Sequence, residues 1–314
     1  MFKLIEKLEK LPVATAGLAL GTAGLGGVLG NEIDSSLRLI CAGIAGIFLI
    51  LILVKKFAHA KQLWKDISHP VAGSFIPAFD MCLMVIADLL TNYSLILGQV
   101  IWYTAIILHL VFALSFFYHR FRDFDLNHML PSWFVPPVGI VVACVTGSHM
   151  HAQELTHAIF YVGFALYAVM LPTMFYRLIF GERISEGQLP AFAIMGAPAS
   201  LCLAGYLTAF AQPNPEIVGI LLALSLMMTS LVYISMIRIN HLRIKFMPIY
   251  ASFTFPLAIG ATAMMKYSNF VGRTTDSGQF WHTIGFIEMC IAIVAITWVL
   301  FRMVHFINKE FKTV

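Results

Sequence analysis

The sequence predicts an all-α integral membrane protein, because it is strongly apolar, poor in charge and divided into long hydrophobic stretches. Of its 314 residues, 60% are hydrophobic and only 11% are charged, whereas an ordinary soluble domain carries about 25% charged residues. The mean hydropathy is +0.85. So little charge could not cover the surface of a soluble protein of this size. We therefore predict that the chain lies in a membrane.

Ten apolar stretches are close to or above the roughly 20 residues that a membrane-spanning helix needs. We number them segments 1–10 in chain order and predict that they are ten transmembrane helices of a single domain covering residues 1–314. The loops between them are short, which leaves no room for a separate soluble domain. The segments cover residues 12–30, 36–57, 70–91, 97–119, 131–148, 153–180, 188–211, 216–239, 246–267 and 280–306.

Lysine and arginine residues collect at one end of these segments. Most of them precede segment 1 or follow an even-numbered segment, and only Arg38, Lys266 and Arg273 lie toward the other side. Because positively charged loops stay in the cytoplasm, both termini are predicted to be cytoplasmic, which requires an even number of spans. This topology accounts for the net charge of +4 without a nucleic-acid partner.

Prolines recur at regular intervals on the odd-numbered segments. Their successive separations are 65, 59, 62 and 58 residues, about the length of one helical hairpin, which indicates five tandem hairpins. An internal proline kinks a helix and frees a backbone carbonyl, and freed backbone groups in a membrane must face protein or water. We therefore predict that the odd segments form an inner pore and the even segments an outer, lipid-facing ring. The prolines are Pro12, Pro77, Pro136 with its neighbour Pro137, Pro198 and Pro256.

Two of the odd segments resemble a known family. Residues 11–21, LPVATAGLALG, and residues 252–268, SFTFPLAIGATAMMKYS, are similar to the first and ninth helices of the tellurite-resistance TehA and plant guard-cell slow anion channel family, and most of all to its bacterial TehA branch. The hairpin repeat and the predicted termini agree with that family over essentially the whole chain. The resemblance implies a homotrimer, each protomer of which has its own five-helix pore blocked by a phenylalanine, and it implies anion conduction.

The residue before each inner proline is pushed away from helical geometry and so lies at the break. Four of these five residues are aliphatic, and only Phe255 is aromatic. If the five breaks converge on one axis, Phe255 is the expected gate, and the resemblance of its Thr-Phe-Pro motif supports this role. The alternatives are that Phe255 simply packs between helices, or that Phe253 is the gate.

Small residues near the breaks are predicted either to line the pore or to let helices approach closely, and the two roles are compatible. Without side chains they would leave pore volume and expose backbone N–H groups to a passing anion. These residues are Ala14, Gly17, Gly73, Gly139, Gly196 and Gly260.

Ionisable residues inside membrane segments are candidates for function. Asp80 lies three residues beyond Pro77, where it either takes part in proton coupling or, as we favour, is protonated and hydrogen-bonds backbone opened by the kink. No lysine or arginine lies deep in an odd segment, so the pore is predicted to be mostly neutral. The other candidates are Asp88, His109, His157 and Glu288.

The sequence contains no convincing catalytic or metal-binding motif. His149 and His151 lie in a short external loop without a cysteine or carboxylate at a recognised ligand spacing, so no metal site is predicted. No phosphate-binding loop, dinucleotide fingerprint or nucleophile elbow is present. We therefore expect neither an enzyme nor a bound cofactor.

Together these observations predict a channel of the bacterial inner membrane that passes small monovalent inorganic anions, such as chloride and nitrate. In a mostly neutral pore, the cost of removing water from each ion should decide which anions pass. The alternative is a proton-coupled or facilitated exporter of a dicarboxylate, sulfite or a tellurite-type oxyanion, for which Asp80 is the supporting feature. A third class is a membrane scaffold without transport activity.

The predicted topology can be tested with reporter fusions. A reporter at Val314 should be cytoplasmic, and a reporter in the loop at residues 149–153 should be periplasmic, because the basic loops lie on the opposite side from that loop. A periplasmic C-terminus would contradict the count of ten spans.

Overall fold

The computed structural model describes residues 2–312, with side chains from residue 5 onward, so the reporter position Val314 lies outside the described residues. Within this range the chain is helical and contains no β-strand, and eight of its helices are long and apolar enough to cross a membrane. The predicted multi-pass, all-α membrane fold is thereby confirmed. These eight helices, which correspond to segments 2, 3, 4 and 6–10, are Ser35–Ala58, Ala72–Leu90, Leu95–Arg122, Gln153–Phe180, Glu186–Ala209, Pro215–His241, Pro248–Phe270 and Asp276–Lys312.

Segments 1 and 5 differ from these eight helices. Segment 1 is the helix Thr15–Glu32, whose 18 residues include six glycines that lower its hydropathy. Segment 5 is the shorter apolar stretch Pro131–Thr146. The count of ten transmembrane helices therefore stays a prediction. The short helices Phe2–Leu8 and Ala60–Ser68 lie outside the ten segments.

The odd and even segments differ in burial. In the most apolar part of segments 3, 7 and 9, 72%, 83% and 83% of the residues are buried, whereas the corresponding share in the five even segments is 22–39%. The even segments expose large apolar side chains to the outside, among them Ile47, Leu114 and Val169. An exposed surface of this kind suits lipid tails, because the driving force for burying apolar groups is absent there.

Odd segments begin irregularly and then continue as α-helices. Segment 7 is a 3₁₀ stretch, Glu186–Gly196, followed by the α-helix Ala197–Ala209. Segment 9 is likewise a 3₁₀ stretch, Pro248–Phe253, followed by the α-helix Thr254–Phe270. Pro198 and Pro256 therefore lie in the first turn of an α-helix, where a missing N–H has no partner to lose. In segments 7 and 9 the proline therefore lies at the start of the α-helix and does not interrupt it.

Segments 3 and 5 vary this arrangement. In segment 3 the chain turns at Ile76 and Pro77, between a single turn and a longer helix. Segment 5 alternates between short 3₁₀ and α-helical pieces along its whole length, which fits its two adjacent prolines. The pieces of the two segments are Ala72–Phe75, Ala78–Leu90, Pro131–Phe134, Val135–Val138, Gly139–Val141 and Val142–Thr146.

Segments 1 and 9 pack directly against each other through small residues. The hydroxyl of Thr254 donates a hydrogen bond to the backbone carbonyl of Gly17 over 2.9 Å. One turn further along segment 1, a Cβ added to Gly21 would lie 2.3 Å from Cβ of Thr254 and 2.7 Å from the backbone nitrogen of Phe255. Only glycine permits this approach, because backbone atoms cannot move aside as a flexible side chain can. This contact fixes the start of the helix that carries Phe255.

The contact predicts a specific sensitivity to substitution. Gly21→Ala should lower the free energy of unfolding by about 1–3 kcal/mol, the usual cost of overpacking a tight site. Gly27→Ala on the same helix is the matched control, because a Cβ there meets nothing within 4 Å. The control should be neutral or stabilising by up to ~1 kcal/mol. Thermal unfolding in detergent measures both, and equal melting temperatures for the two variants would contradict the packing described here.

Candidate pore and gate

A small cavity of about 40 Å³ lies where the five odd segments meet; we call it the central cavity. Each odd segment contributes at least two residues to its wall, and none of the described residues of the even segments lines it. A cavity of this size has room for more than one water molecule, which needs at least about 10–15 Å³. Leu20, Met81, Val138, Leu201 and Phe255 represent segments 1, 3, 5, 7 and 9 in the wall.

The wall of the central cavity is almost entirely apolar. Among the described residues that line it, none is charged and only Ser252 carries a hydroxyl. Oγ of Ser252 is buried and makes no hydrogen bond to any described residue, so it can donate to a molecule or ion in the cavity. Sequence reasoning missed this residue. The sequence could have pointed to Ser252 through its spacing from Phe255. A residue three positions before Phe255 lies on the same face of a helical turn.

Phe255 lies between the central cavity and a wider space of about 350 Å³, which we call the vestibule. Together with Leu201, Phe255 lines both spaces. Its ring faces segment 1 at Gly24, where an added Cβ would lie 3.7 Å from ring atom Cδ2. The ring is therefore held at the junction of the two spaces, beside a position that has no side chain.

Phe253, the alternative gate, faces a different part of the protein. It lines a groove with Met236 of segment 8 and Trp298 of segment 10. It lines neither the central cavity nor the vestibule. Phe253 lies two positions before Phe255 on a helical turn, so the two side chains point in different directions. The ring of Phe253 therefore faces the even segments.

The vestibule is polar and charged, in contrast to the central cavity. One face of segment 9 runs along it, with residues spaced three or four positions apart, which is the spacing of a helix face. The three cations predicted on the outer side of the membrane, Arg38, Lys266 and Arg273, all line it. The residues of the segment 9 face are Phe255, Ile259, Thr262, Lys266 and Asn269.

Two ion-pair groups lie in the vestibule wall. Arg38 of segment 2 donates to the carboxylate of Asp88 over 2.5 Å, and Nδ1 of His149 lies 3.2 Å from the same carboxylate. Arg273 donates to the carboxylate of Glu32 at the end of segment 1. These groups tie segments 1, 2 and 3 and the loop after segment 9 together around the vestibule.

The proline and glycine residues predicted to shape the pore fall into several groups. Four of them, Gly17, Gly139, Pro198 and Pro256, line the central cavity. Pro12 lines a separate cavity of about 30 Å³, which also contains Lys55 and Lys56.

The other predicted residues pack between segments. An added Cβ on Gly196 would lie 2.6 Å from Val232 of segment 8, and one on Gly260 would lie 3.0 Å from Oε2 of Glu288. Both glycines therefore face even segments and do not line the central cavity. Pro77 precedes the long helix of segment 3. Two further prolines, Pro136 and Pro137, line a groove that faces segments 4 and 6.

Asp80 is fully buried next to the wall of the central cavity and pairs with a histidine of the neighbouring segment. Its Oδ1 lies 2.5 Å from Nδ1 of His109, and Nε2 of His109 lies 3.0 Å from the carbonyl oxygen of Pro136. A carbonyl can only accept, so Nε2 carries a proton, and one further proton is shared between Nδ1 and the carboxyl group. The pair is uncharged overall whichever of its two members holds that proton.

This pair connects segments 3, 4 and 5. The expected bond from Asp80 to backbone opened by a proline is present only indirectly, because His109 makes the contact with the backbone of segment 5. Asp80 itself does not line the central cavity, although the next residue, Met81, does. Sequence analysis had named both ionisable residues without joining them, since 29 positions separate them.

The other ionisable candidates have structural partners or neighbours. The ring of His157 stacks on Phe210, with 4.0 Å between the ring centroids. Glu288 is buried beside Gly260 and Thr229. Within the part of the chain that the structure describes, no three His, Cys, Asp or Glu side chains come together in a metal-binding arrangement.

Comparison with known proteins identifies the family. A family model described as a voltage-dependent anion channel, SLAC1, matches residues 10–304. Two uncharacterized transporters of Methanocaldococcus jannaschii, MJ0762 and MJ0576, are each 29% identical over 166 residues, which is 48% of this chain and 48% of each relative. The match thus spans about half the length of these two relatives. The resemblance seen in segments 1 and 9 is confirmed, and the chain belongs to the SLAC1 family of anion channels.

Proposed function

We propose that this chain is a channel for small monovalent anions, that its pore runs through the central cavity between the five odd segments, and that Phe255 closes it. The observation that carries the proposal is the position of Phe255 at the junction of the central cavity and the vestibule. An aromatic ring there narrows the path and excludes water, and a dewetted constriction is an effective gate.

The composition of the central cavity favours selection by dehydration. An ion that enters loses water and gains only weak partners, namely apolar side chains and the unpaired hydroxyl of Ser252. Weakly hydrated anions such as nitrate should therefore pass more easily than strongly hydrated ones. A hydroxyl can donate its hydrogen to an anion, which is compatible with a family of anion channels.

The proposed topology consists of ten crossings with both ends of the chain in the cytoplasm. Nζ of Lys7 donates a hydrogen bond to the backbone carbonyl of Phe311 over 2.5 Å. The first and last described helices thus meet at one face of the protein, as an even number of crossings requires. Localisation in the bacterial inner membrane and assembly as a homotrimer rest on the resemblance to the TehA branch.

A second candidate function is a proton-coupled exporter of a dicarboxylate, sulfite or a tellurite-type oxyanion. The buried pair of Asp80 and His109 favours it, because the two groups share a proton inside a membrane segment. The pair lies outside the central cavity, however, and one of its hydrogen bonds holds segment 5. These contacts suit a structural role, in which the proton stays in place while anions pass.

Substitutions at Asp80 separate the two functions. In Asp80→Asn, the amide can still donate to Nδ1 of neutral His109, but no proton can be exchanged. We expect this variant to fold, to conduct anions and to keep its pH dependence. Asp80→Ala leaves Nδ1 of His109 without a partner and should cost about 1–3 kcal/mol in unfolding free energy. Flux in proteoliposomes between pH 5 and 8 is the measurement. Loss of proton-linked transport in a folded Asp80→Asn protein would favour the exporter.

Truncation of Phe255 should open the pore. Each ~1.4 kcal/mol removed from a barrier raises the rate about tenfold, so Phe255→Ala should raise anion current in a planar bilayer by roughly tenfold or more. Phe255→Leu should give an intermediate current if the obstruction is steric. The loss of stability should be below the roughly 3–5 kcal/mol of a close-packed phenylalanine, because part of the ring faces open space.

Phe253→Ala is the matched control for this experiment. It removes the same side chain two residues away, from a groove that does not join the pore. We expect reduced thermal stability and no increase in current. An unchanged current in a correctly inserted Phe255→Ala protein, with a stability loss equal to that of the control, would show that Phe255 is an ordinary packing residue.

A further inference from the structure

We propose that the vestibule contains an anion-binding site centred on Nζ of Lys266, which collects monovalent inorganic anions on the outer side of Phe255. The proposal rests on the proposed function in one respect, namely that the collected anions are those that the pore conducts. The vestibule holds about 350 Å³ and adjoins the gate, so an ion bound there would be next in line to pass.

Lys266 is the vestibule cation that has no partner among the residues described by the structure. Arg38 and Arg273 are held by Asp88 and Glu32, whereas Lys266 makes no hydrogen bond or ion pair with any residue that the structure describes. Asp88 is the acidic group that acts on Lys266 electrostatically. This carboxylate is already occupied by an arginine and approached by a histidine. The charge of this half-buried lysine side chain is thus left to be neutralised by an anion from solution.

The charge of the vestibule selects the class of anion. Its wall contains three cations, Arg38, Lys266 and Arg273, and two carboxylates, Glu32 and Asp88, which leaves one positive charge when the histidines are neutral. One monovalent anion neutralises this excess. A divalent anion would leave the space negatively charged and would have to overcome repulsion from both carboxylates.

The spacing of residues along segment 9 places a second ligand near Lys266. It also puts the site on the helix face that leads to Phe255. Lys266 follows Phe255 by eleven residues within one continuous helix, which is three turns or about 16 Å along the same face. Asn269 lies one turn beyond and also lines the vestibule, so its amide N–H₂ can donate to the same anion. The hydroxyl of Thr262 already donates to the carbonyl of Ala258 over 2.9 Å. The ligand set is therefore an ammonium group and an amide.

Such a site binds weakly, as conduction requires. One ammonium group in a wide, water-accessible space attracts an anion without stripping it of all its water, and release toward the gate stays fast. Attraction of this kind acts over roughly a Debye length, about 10 Å at 0.1 M salt. Its contribution should therefore fade as the salt concentration rises.

Bromide is a suitable probe for the site, because its anomalous scattering locates it directly and binding does not require an open gate. Crystals of the unaltered protein soaked in bromide should show a peak within hydrogen-bond distance of Nζ of Lys266, and Lys266→Gln should abolish it. Lys266→Arg, which keeps the charge, should retain it. Absence of a peak at this position in the unaltered protein would overturn the proposal without any reliance on the variants.

Current measurements test the consequence for conduction. In an open Phe255→Ala background, Lys266→Gln should lower the chloride current that enters from the vestibule side by roughly two- to fivefold at low salt, and the difference should disappear toward about 1 M salt. Current from the other side should change less. Arg273→Gln is the matched control, since it removes one charge from the same vestibule. An equal effect of both substitutions would point to a diffuse field and would contradict a site at Lys266.

The outcomes separate this inference from the proposed function. Bromide bound at Lys266 in a protein whose Phe255→Ala variant does not conduct would support the site and overturn the channel. A conducting Phe255→Ala variant that binds no bromide at Lys266 and is unaffected by Lys266→Gln would support the channel and overturn the site.

Discussion

The demand that every backbone N–H and C=O group in a membrane has a partner governs the rest of this structure. Segments 3, 5, 7 and 9 begin as 3₁₀ or single-turn pieces, and segment 1 begins with non-helical residues around Pro12 before its α-helix, so these starts cannot face lipid. The most apolar parts of segments 3, 7 and 9 are mostly buried, whereas those of the regular even helices are mostly exposed. Five irregular starts that meet at one place cannot fill space as closely as five straight helices could. The central cavity is the result.

Close packing around this cavity then places Phe255, the proposed gate. The Thr254 hydroxyl is bonded to the Gly17 carbonyl, and Gly21 allows the two backbones to touch, so the first turn of segment 9 has a fixed position relative to segment 1. The next side chain, Phe255, is directed to the junction of cavity and vestibule by that contact, beside Gly24. Small residues and a large ring thus have complementary roles: the former bring the helices together, and the latter occupies the space that their breaks leave. The position of this proposed gate therefore depends in part on Thr254 and Gly21, which line neither the central cavity nor the vestibule.

The sequence predicted the features that depend on local rules and missed those that depend on which way a helix faces. The all-α membrane fold follows from hydropathy. The hypothesis that Phe255 is the gate followed from one aromatic residue among five pre-proline positions and stays a prediction. Gly196 and Gly260 lie near breaks but face even segments, because proximity to a proline does not determine the direction of a neighbouring residue. The partner of Asp80, and the lack of a partner for Lys266 among the described residues, were also out of reach. His109 is 29 positions from Asp80, and Arg38 is 50 positions from the Asp88 carboxylate that it occupies, so only the assembled fold shows that one charge is paired and another is not.

The separation of charge from the narrow part of the path has a physical reason. Two opposite unit charges 4 Å apart attract with about 4 kcal/mol at the effective dielectric constant of a partly buried site, and with about 1 kcal/mol in water. Since each ~1.4 kcal/mol changes an equilibrium tenfold, a lysine in the dry central cavity would hold an anion for roughly a thousand times longer than a neutral wall. The same lysine in the vestibule raises the local anion concentration only a few-fold and releases the ion quickly. Lys266 lies three helical turns from Phe255, and Ser252 is the one described residue that offers a neutral side-chain donor to the cavity. In the proposed channel, attraction and selection are thereby assigned to two different places on one helix face: the vestibule would gather anions by charge, and the neutral constriction would sort them by the cost of losing water.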